Sequence, residues 1–114
     1  MTRSVPAVRR FTRELNDHSV QFGERQIWVT PAVEASEGGP LSAYSAHFGQ
    51  GEQAELPAPY EEVWTVLSGQ LRVSCGPSVS LVHSGEFLHV PEDTPGWVEA
   101  IEDTELVCVS VPAH

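Results

Sequence analysis

Residues suited to proton transfer begin a β-rich run near the middle of the chain. Tyr60 and Glu62 precede Trp64 in this run, which ends at a serine–glycine turn at residues 68–69. Side chains alternate in direction along a strand, so Glu62 and Trp64 share one face and Glu61 takes the other. A carboxyl group beside an indole in an apolar cavity is suited to general acid–base catalysis. We therefore predict catalytic roles for Glu62 and for the Tyr60 phenol.

Each of these roles has a structural alternative. The Glu62 carboxylate could be neutralised by Arg72 or by backbone amides, and Glu61 is predicted to be a solvated charge. The Tyr60 ring could simply pack at the rim of the fold. Placement of Glu62 in a cavity or in an ion pair decides between the two interpretations.

Two histidines lie within predicted strands. Histidine can supply a base near neutral pH, so His47 is a third candidate catalytic residue. The opposite face of its strand carries Tyr44, Ala46 and Phe48, which resemble core residues, so His47 could equally face solvent. His89 is a candidate ligand-binding residue, and the sequence likewise does not decide whether it lines the pocket or lies on the outer face.

Large aromatic side chains supply the other candidate substrate-binding residues. They are Trp28, Trp64, Phe87 and Trp97, in addition to His89. The two cysteines, Cys75 and Cys108, have neither CxxC spacing nor a basic partner in sequence. They are predicted to be small strand residues rather than nucleophiles. Free thiols are expected, although the sequence leaves a disulfide open.

Short β-rich runs separated by glycine and proline turns must position these side chains. They recur without helical periodicity, a pattern typical of an antiparallel sandwich or barrel. We predict an arm at residues 1–24, exchanged between subunits if the protein is a dimer, and a β-barrel domain at 25–114. The predicted strands are residues 26–30, 41–48, 62–67, 70–75, 80–83, 87–90, 96–101 and 105–111.

Charge and length exclude several classes of function. The 114 residues fit one domain, and sixteen acidic against six basic residues give a net charge of −10. An acidic body disfavours nucleic-acid binding, and four of the six arginines fall within the arm, where they could neutralise acidic surface of the same or a partner subunit. No apolar run is long enough to span a bilayer and no signal peptide is evident, so we predict a cytoplasmic protein without membrane partners.

The spacing of two glycine turns resembles the two motifs of the cupin superfamily. Glu62 precedes Gly69 by six intervening residues, and Gly85 precedes Pro91 by five. The resemblance covers roughly residues 40 to 111 and implies a single-domain jelly-roll β-barrel. The final Val-Ser-Val-Pro-Ala segment and the acidic, aromatic first motif are similar to the ethanolamine-utilisation EutQ-like group.

The metal ligands that the cupin resemblance implies are largely missing. Its three histidines would fall at Leu56, Ala58 and Gly96, which leaves Glu62 as the one metal ligand of the pattern. Divalent metal sites normally use three or four ligands. We therefore predict no metal and no other cofactor, while a relocated site joining Glu62 to His47 or His89 stays open.

Two functions are compatible with this sequence. The first is a metal-independent enzyme that isomerises, dehydrates, cyclises or decarboxylates a small molecule. The second is a non-catalytic small-molecule-binding or accessory module, which the loss of all three histidines would also fit. A homodimer is expected in either case, because small cupins generally resemble paired barrels.

Overall fold

The computed structural model describes residues 7–56 and 58–114. Within them the chain forms ten strands and a single 3-10 turn, Ala35–Glu37. The strands are β1 (Val20–Gln21), β2 (Ile27–Val33), β3 (Ser42–Phe48), β4 (Gln53–Glu55), β5 (Glu61–Ser68), β6 (Gln70–Cys75), β7 (Ser78–His83), β8 (Phe87–Val90), β9 (Trp97–Ala100) and β10 (Thr104–Val111).

These strands form two antiparallel sheets, ordered β1-β2-β3-β10-β5-β8 and β4-β9-β6-β7. Strand β5 buries Glu62, Trp64 and Val66, and β10 buries every second residue from Thr104 to Ser110. Both sheets contribute to one core, because Leu71 and Val98 of the second sheet join the buried residues of the first. The predicted all-β jelly-roll fold is confirmed.

Three features of the strands differ from the prediction. Strands β1 and β4, of two and three residues, were not predicted. Strand β2 does not end at Pro31 but continues to Val33, with a register shift between these two residues. Strand β1 pairs with β2 only at Trp28 and Val29, so Pro31 lies where one edge is open. A proline is tolerated at such an edge or bulge because no ladder hydrogen bond is lost.

The N-terminal residues contact a turn and a strand of their own chain. Arg9 forms an exposed ion pair with Glu37 at 2.8 Å, and Arg13 donates a hydrogen bond to Ser68 Oγ at 3.3 Å. Arg3 lies outside the described residues. The division into an arm and a domain stays a prediction. No helix of the described chain is long and apolar enough to cross a membrane.

Candidate functional site

The two sheets enclose a cavity of about 270 Å³ around the inward face of β5. Eight of its seventeen lining residues are aliphatic, which favours exclusion of water, while a carboxyl, a phenol and a thiol lie together on one side. Its aliphatic wall includes Ile27, Val29, Ala46, Ala54, Leu56, Ala58, Val98 and Leu106, and its remaining lining includes Phe22, Tyr44, Phe48, Glu55, Pro59, Tyr60, Glu62, Trp64 and Cys108.

Glu62 is the buried carboxyl group of this cavity, with 6% of its surface exposed. Its Oε1 accepts hydrogen bonds from Tyr44 Oη and, at 2.7 Å, from Ser110 Oγ. Its Oε2 accepts none from the described residues and is not among their buried unpaired atoms. One carboxylate oxygen is therefore held by protein hydroxyls, and the other has no protein donor among the described residues.

Strand order explains which side chains reach Glu62. Ser110 lies directly opposite Glu62 on the neighbouring strand β10, so even its short side chain reaches the carboxylate. Tyr44 comes from β3, one strand further away, and only a long side chain spans that distance of about two strand spacings. The alternative in which Arg72 neutralises Glu62 is not what the structure has, because Arg72 contacts Glu99 at 3.2 Å instead.

The phenol and thiol beside Glu62 are held in their neutral forms. Burial, together with nearby Cys108 and the Glu62 carboxylate, raises the pKa of Tyr44 above its ordinary value. Burial and the Glu62 charge likewise raise the pKa of Cys108. Both groups are protonated at neutral pH, so Cys108 is not an activated nucleophile. Cys75 and Cys108 are both free thiols.

Tyr60 lies where the cavity opens to the surface. Its ring stacks on the His114 imidazole with centroids 3.6 Å apart, and both rings line a second, outer groove of about 450 Å³. Partial burial and the Glu62 charge raise the Tyr60 pKa, so its hydroxyl is a hydrogen-bond donor at neutral pH. Trp64 lines the cavity and has a buried Nε1 without a hydrogen-bond acceptor in the described chain. Glu62, Tyr60 and Trp64 therefore line the same cavity.

His47 and Trp28 lie on the outer face of the six-stranded sheet. The inward positions of β3 are taken by Tyr44, Ala46 and Phe48, which line the cavity, so alternation turns His47 away from Glu62. His47 Nδ1 lies 2.9 Å from a carboxylate oxygen of Glu105, in a surface groove beside Trp28. The structure thus does not place either predicted residue at the cavity.

Three further predicted binding residues also point away from Glu62. His89 pairs with Glu61 at the surface, because Leu88 and Val90 take the inward positions of β8. Phe87 shares the His89 face and is 72% exposed. Trp97 is 53% exposed, since Val98 lines the cavity instead. These side chains cannot contact a molecule held by Glu62 in this conformation.

Sequence reasoning missed several residues of the site. Tyr44, Ser110, Cys108 and His114 received no functional role, yet the first three surround Glu62 and the fourth packs at the mouth. A signal existed for Tyr44, because alternation already placed it on the core face of its strand. No local signal connects Ser110 to Glu62, since their contact depends on pairing between distant strands.

Comparison with known proteins shows the fold. No protein-family model and no curated protein sequence matches the chain. Its structure is similar to that of a Cupin_2 domain of an XRE family transcriptional regulator from Enterobacter cloacae (15% identity, TM-score 0.67, covering 79% of this chain and 100% of that one). The chain has a cupin fold.

Two other similar structures belong to an ethanolamine utilization protein and to an enzyme. The ethanolamine utilization protein EutQ from Salmonella typhimurium is 18% identical, with a TM-score of 0.71, over 77% of this chain and 71% of that one. The ectoine synthase from P. lautus is 12% identical, with a TM-score of 0.81, over 93% and 78%. The EutQ match agrees with the resemblance seen in the sequence, and at these identities each likeness establishes the fold alone.

The cupin metal site does not fit this chain. Leu56 and Ala58, at two histidine positions of the pattern, do line the cavity. At the third, a Cβ on Gly96 would lie 2.0 Å from the backbone oxygen of Ser74, so a histidine cannot be accommodated. The described residues contain no cluster of three or more metal-ligating side chains. The hypothesis of a relocated metal site that joins Glu62 to His47 or His89 is wrong, because both histidines lie on outer faces.

Proposed function

We propose that this cupin is a metal-independent enzyme that moves protons on a small molecule inside the cavity, with Glu62 as the acid–base residue. The observation that carries the proposal is the arrangement of the Glu62 carboxylate. Its Oε1 is held by two hydroxyls, its Oε2 has no protein donor in the described chain, and it has no cationic partner there. A carboxylate in this state can accept a proton at Oε2 and return it to a different atom.

The neighbouring groups have distinct roles in this proposal. Tyr44 and Ser110 are positioning residues that orient the carboxylate and stabilise its charge. Tyr60 stays protonated and donates a hydrogen bond to a polar atom of the substrate at the cavity mouth. The aliphatic wall excludes water, which strengthens the electrostatic interactions. Isomerisation, dehydration, cyclisation and decarboxylation need no more than these groups, and the ectoine synthase of the same fold supports an enzymatic role by analogy.

A non-catalytic binding module is the second candidate. None of the described residues that line this cavity is a histidine, so Glu62 would have to serve as both base and acid in any reaction, which a binding module does not require. The regulator domain of the same fold supports this alternative by analogy. The two candidates share the cavity and differ in whether a bound molecule exchanges protons with Glu62.

Deuterium exchange tests the proposal without knowledge of the natural substrate. A panel of small ketones, imines and amino carbonyl compounds is incubated with the protein in deuterated water, and incorporation at acidic C–H bonds is followed by NMR. We expect exchange of at least one compound, reduced about 10²- to 10⁴-fold by Glu62→Gln. Glu61→Gln is the matched control, because it removes the same charge from the adjacent, outward-facing position. Equal exchange by wild type and Glu62→Gln would refute the assignment, and binding without exchange would favour the module.

A further inference from the structure

We infer that the ligand of this cavity is a small organic cation, a protonated or quaternary amine. The inference rests on the proposed function only in using the same cavity and the same carboxylate. It concerns recognition rather than turnover, so the two can fail separately. Charge, aromatic lining and size each support it.

The charge of the cavity favours a cation. Glu62 is buried in its wall and the exposed Glu55 also lines it, while no described lining residue is an arginine, lysine or histidine. The nearest histidine, His114, packs at the mouth against Tyr60. A buried carboxylate needs compensation, and the two hydroxyls on Oε1 supply hydrogen bonds but no positive charge. An anionic ligand would meet this carboxylate within a chain of net charge −10. A cation placed against Oε2 would complete its neutralisation.

The aromatic residues of the cavity favour the same kind of ligand. Five of its lining side chains are aromatic, namely Phe22, Tyr44, Phe48, Tyr60 and Trp64. The face of an aromatic ring attracts a cation, tryptophan most strongly, and the attraction grows as water is excluded. Aromatic rings around a carboxylate are the arrangement by which proteins hold alkylammonium groups. An apolar ligand would suit the rings but would leave the Glu62 charge uncompensated.

The size of the cavity limits the ligand. Its volume of about 270 Å³ lies just below the usual range for ligand pockets, about 300–1,000 Å³. A nucleotide or a peptide would not fit, whereas an alkylammonium of a few carbons would. Such a ligand would also lie within reach of Oε2, where a positive charge next to a C–H bond makes that bond more acidic.

Three probes of one shape test the inference. They are choline, its uncharged carbon analogue in which a tert-butyl group replaces the trimethylammonium group, and the anion tert-butylacetate. Binding is measured by calorimetry at low and moderate salt. We expect choline to bind at least about tenfold more tightly than the uncharged analogue, and the anion not to bind. Equal or tighter binding of the analogue or the anion, or no binding of choline at millimolar concentration, would overturn the inference.

Two variants connect the preference to the cavity. Glu62→Gln is expected to weaken choline binding about tenfold or more while the uncharged analogue changes less than about twofold. Glu61→Gln, on the outer face, should change neither, and an equal loss there would mean attraction to surface charge and would overturn the inference. If Glu62→Gln does not fold, Tyr60→Leu at the mouth should lower choline affinity selectively. Proton exchange that persists without a cation preference would remove this inference and leave the proposed function.

Discussion

Replacing Tyr44 with phenylalanine removes one hydroxyl from Glu62 Oε1 and leaves the ring in place. A hydrogen bond to a charged group contributes about 1.5–3 kcal/mol. Because Glu62 is buried, water cannot readily replace the lost donor. We expect the free energy of unfolding to fall by that amount, out of a total of about 5–15 kcal/mol for a domain of this size. The melting temperature should fall by about 6–12 °C.

Chemical denaturation followed by tryptophan fluorescence measures this loss. Tyr60→Phe is the matched control, because the Tyr60 hydroxyl makes no hydrogen bond with the described residues, and it should cost less than about 0.5 kcal/mol. Ser110→Ala removes the second donor to the same oxygen and should couple with Tyr44→Phe rather than add to it. A Tyr44→Phe variant as stable as Tyr60→Phe would show that Glu62 does not depend on this phenol.

The same variant has a distinct dependence on pH. The folded-state pKa of Tyr44 is raised above the unfolded value of 10.0, so the unfolded chain loses this proton first as pH rises. The stability that depends on the protonated phenol is therefore present below about pH 10 and is lost above it, by about 1.4 kcal/mol at about pH 11. The raised pKa of Tyr60 acts equally in both proteins. The Cys108 thiol stays protonated in both folded states, because Tyr44→Phe removes a hydrogen bond that lowers its pKa. The difference between wild type and Tyr44→Phe should thus narrow by that amount between neutral and alkaline pH.

Three other predictions test the tight turn at Gly69, the expected absence of a bound metal and the expected homodimer. Gly69→Ala should lower the free energy of unfolding by at least about 1–3 kcal/mol more than Gly85→Ala. Both glycines have left-handed φ (91° and 86°), but only at Gly69 would a Cβ meet other atoms, the nearest at 2.3 Å. Equal losses of stability in chemical denaturation would contradict this. Leu56→His combined with Ala58→His should create, with Glu62, a site that retains about one equivalent of zinc through dialysis, whereas stoichiometric metal in the wild type by elemental analysis would refute metal independence. Light scattering at micromolar concentration should give the mass of a homodimer, and a clean monomer would exclude it.

Much of the fold was predictable because long strands such as β5 and β10 alternate between buried and more exposed positions. Alternation placed Trp64 and Val66 on the same face as Glu62, and the cupin resemblance implied that this face points inward. The burial of all three residues in β5 agrees with this. The same rule placed Tyr44 on the core face of β3 and His47 opposite to it. Short strands at the edges were missed, since two or three residues carry too little pattern to be recognised.

The composition of the site was less predictable because it depends on strand pairing. Glu62 meets Ser110 only because β10 lies between β3 and β5, with Ser110 in register with both Glu62 and Ser42. Nothing within either segment specifies that register. His114 is a similar case, since it reaches Tyr60 from a point distant in sequence. Local patterns therefore identified the carboxylate but not the groups that hold it.

The hydroxyls around Glu62 also explain how a cupin frame can retain a buried acid without the metal ligands of its pattern. In that pattern the glutamate would share its charge with a cation held by three histidines. Here Tyr44 and Ser110 bind one oxygen, and the close approach of Gly96 to the Ser74 backbone prevents a histidine at the third ligand position. Two neutral donors stabilise a carboxylate without cancelling its charge, so negative charge at Oε2 remains without a cationic partner in the described chain. The absence of the three histidines and the proposed preference for a cationic ligand are in this view consequences of the same arrangement.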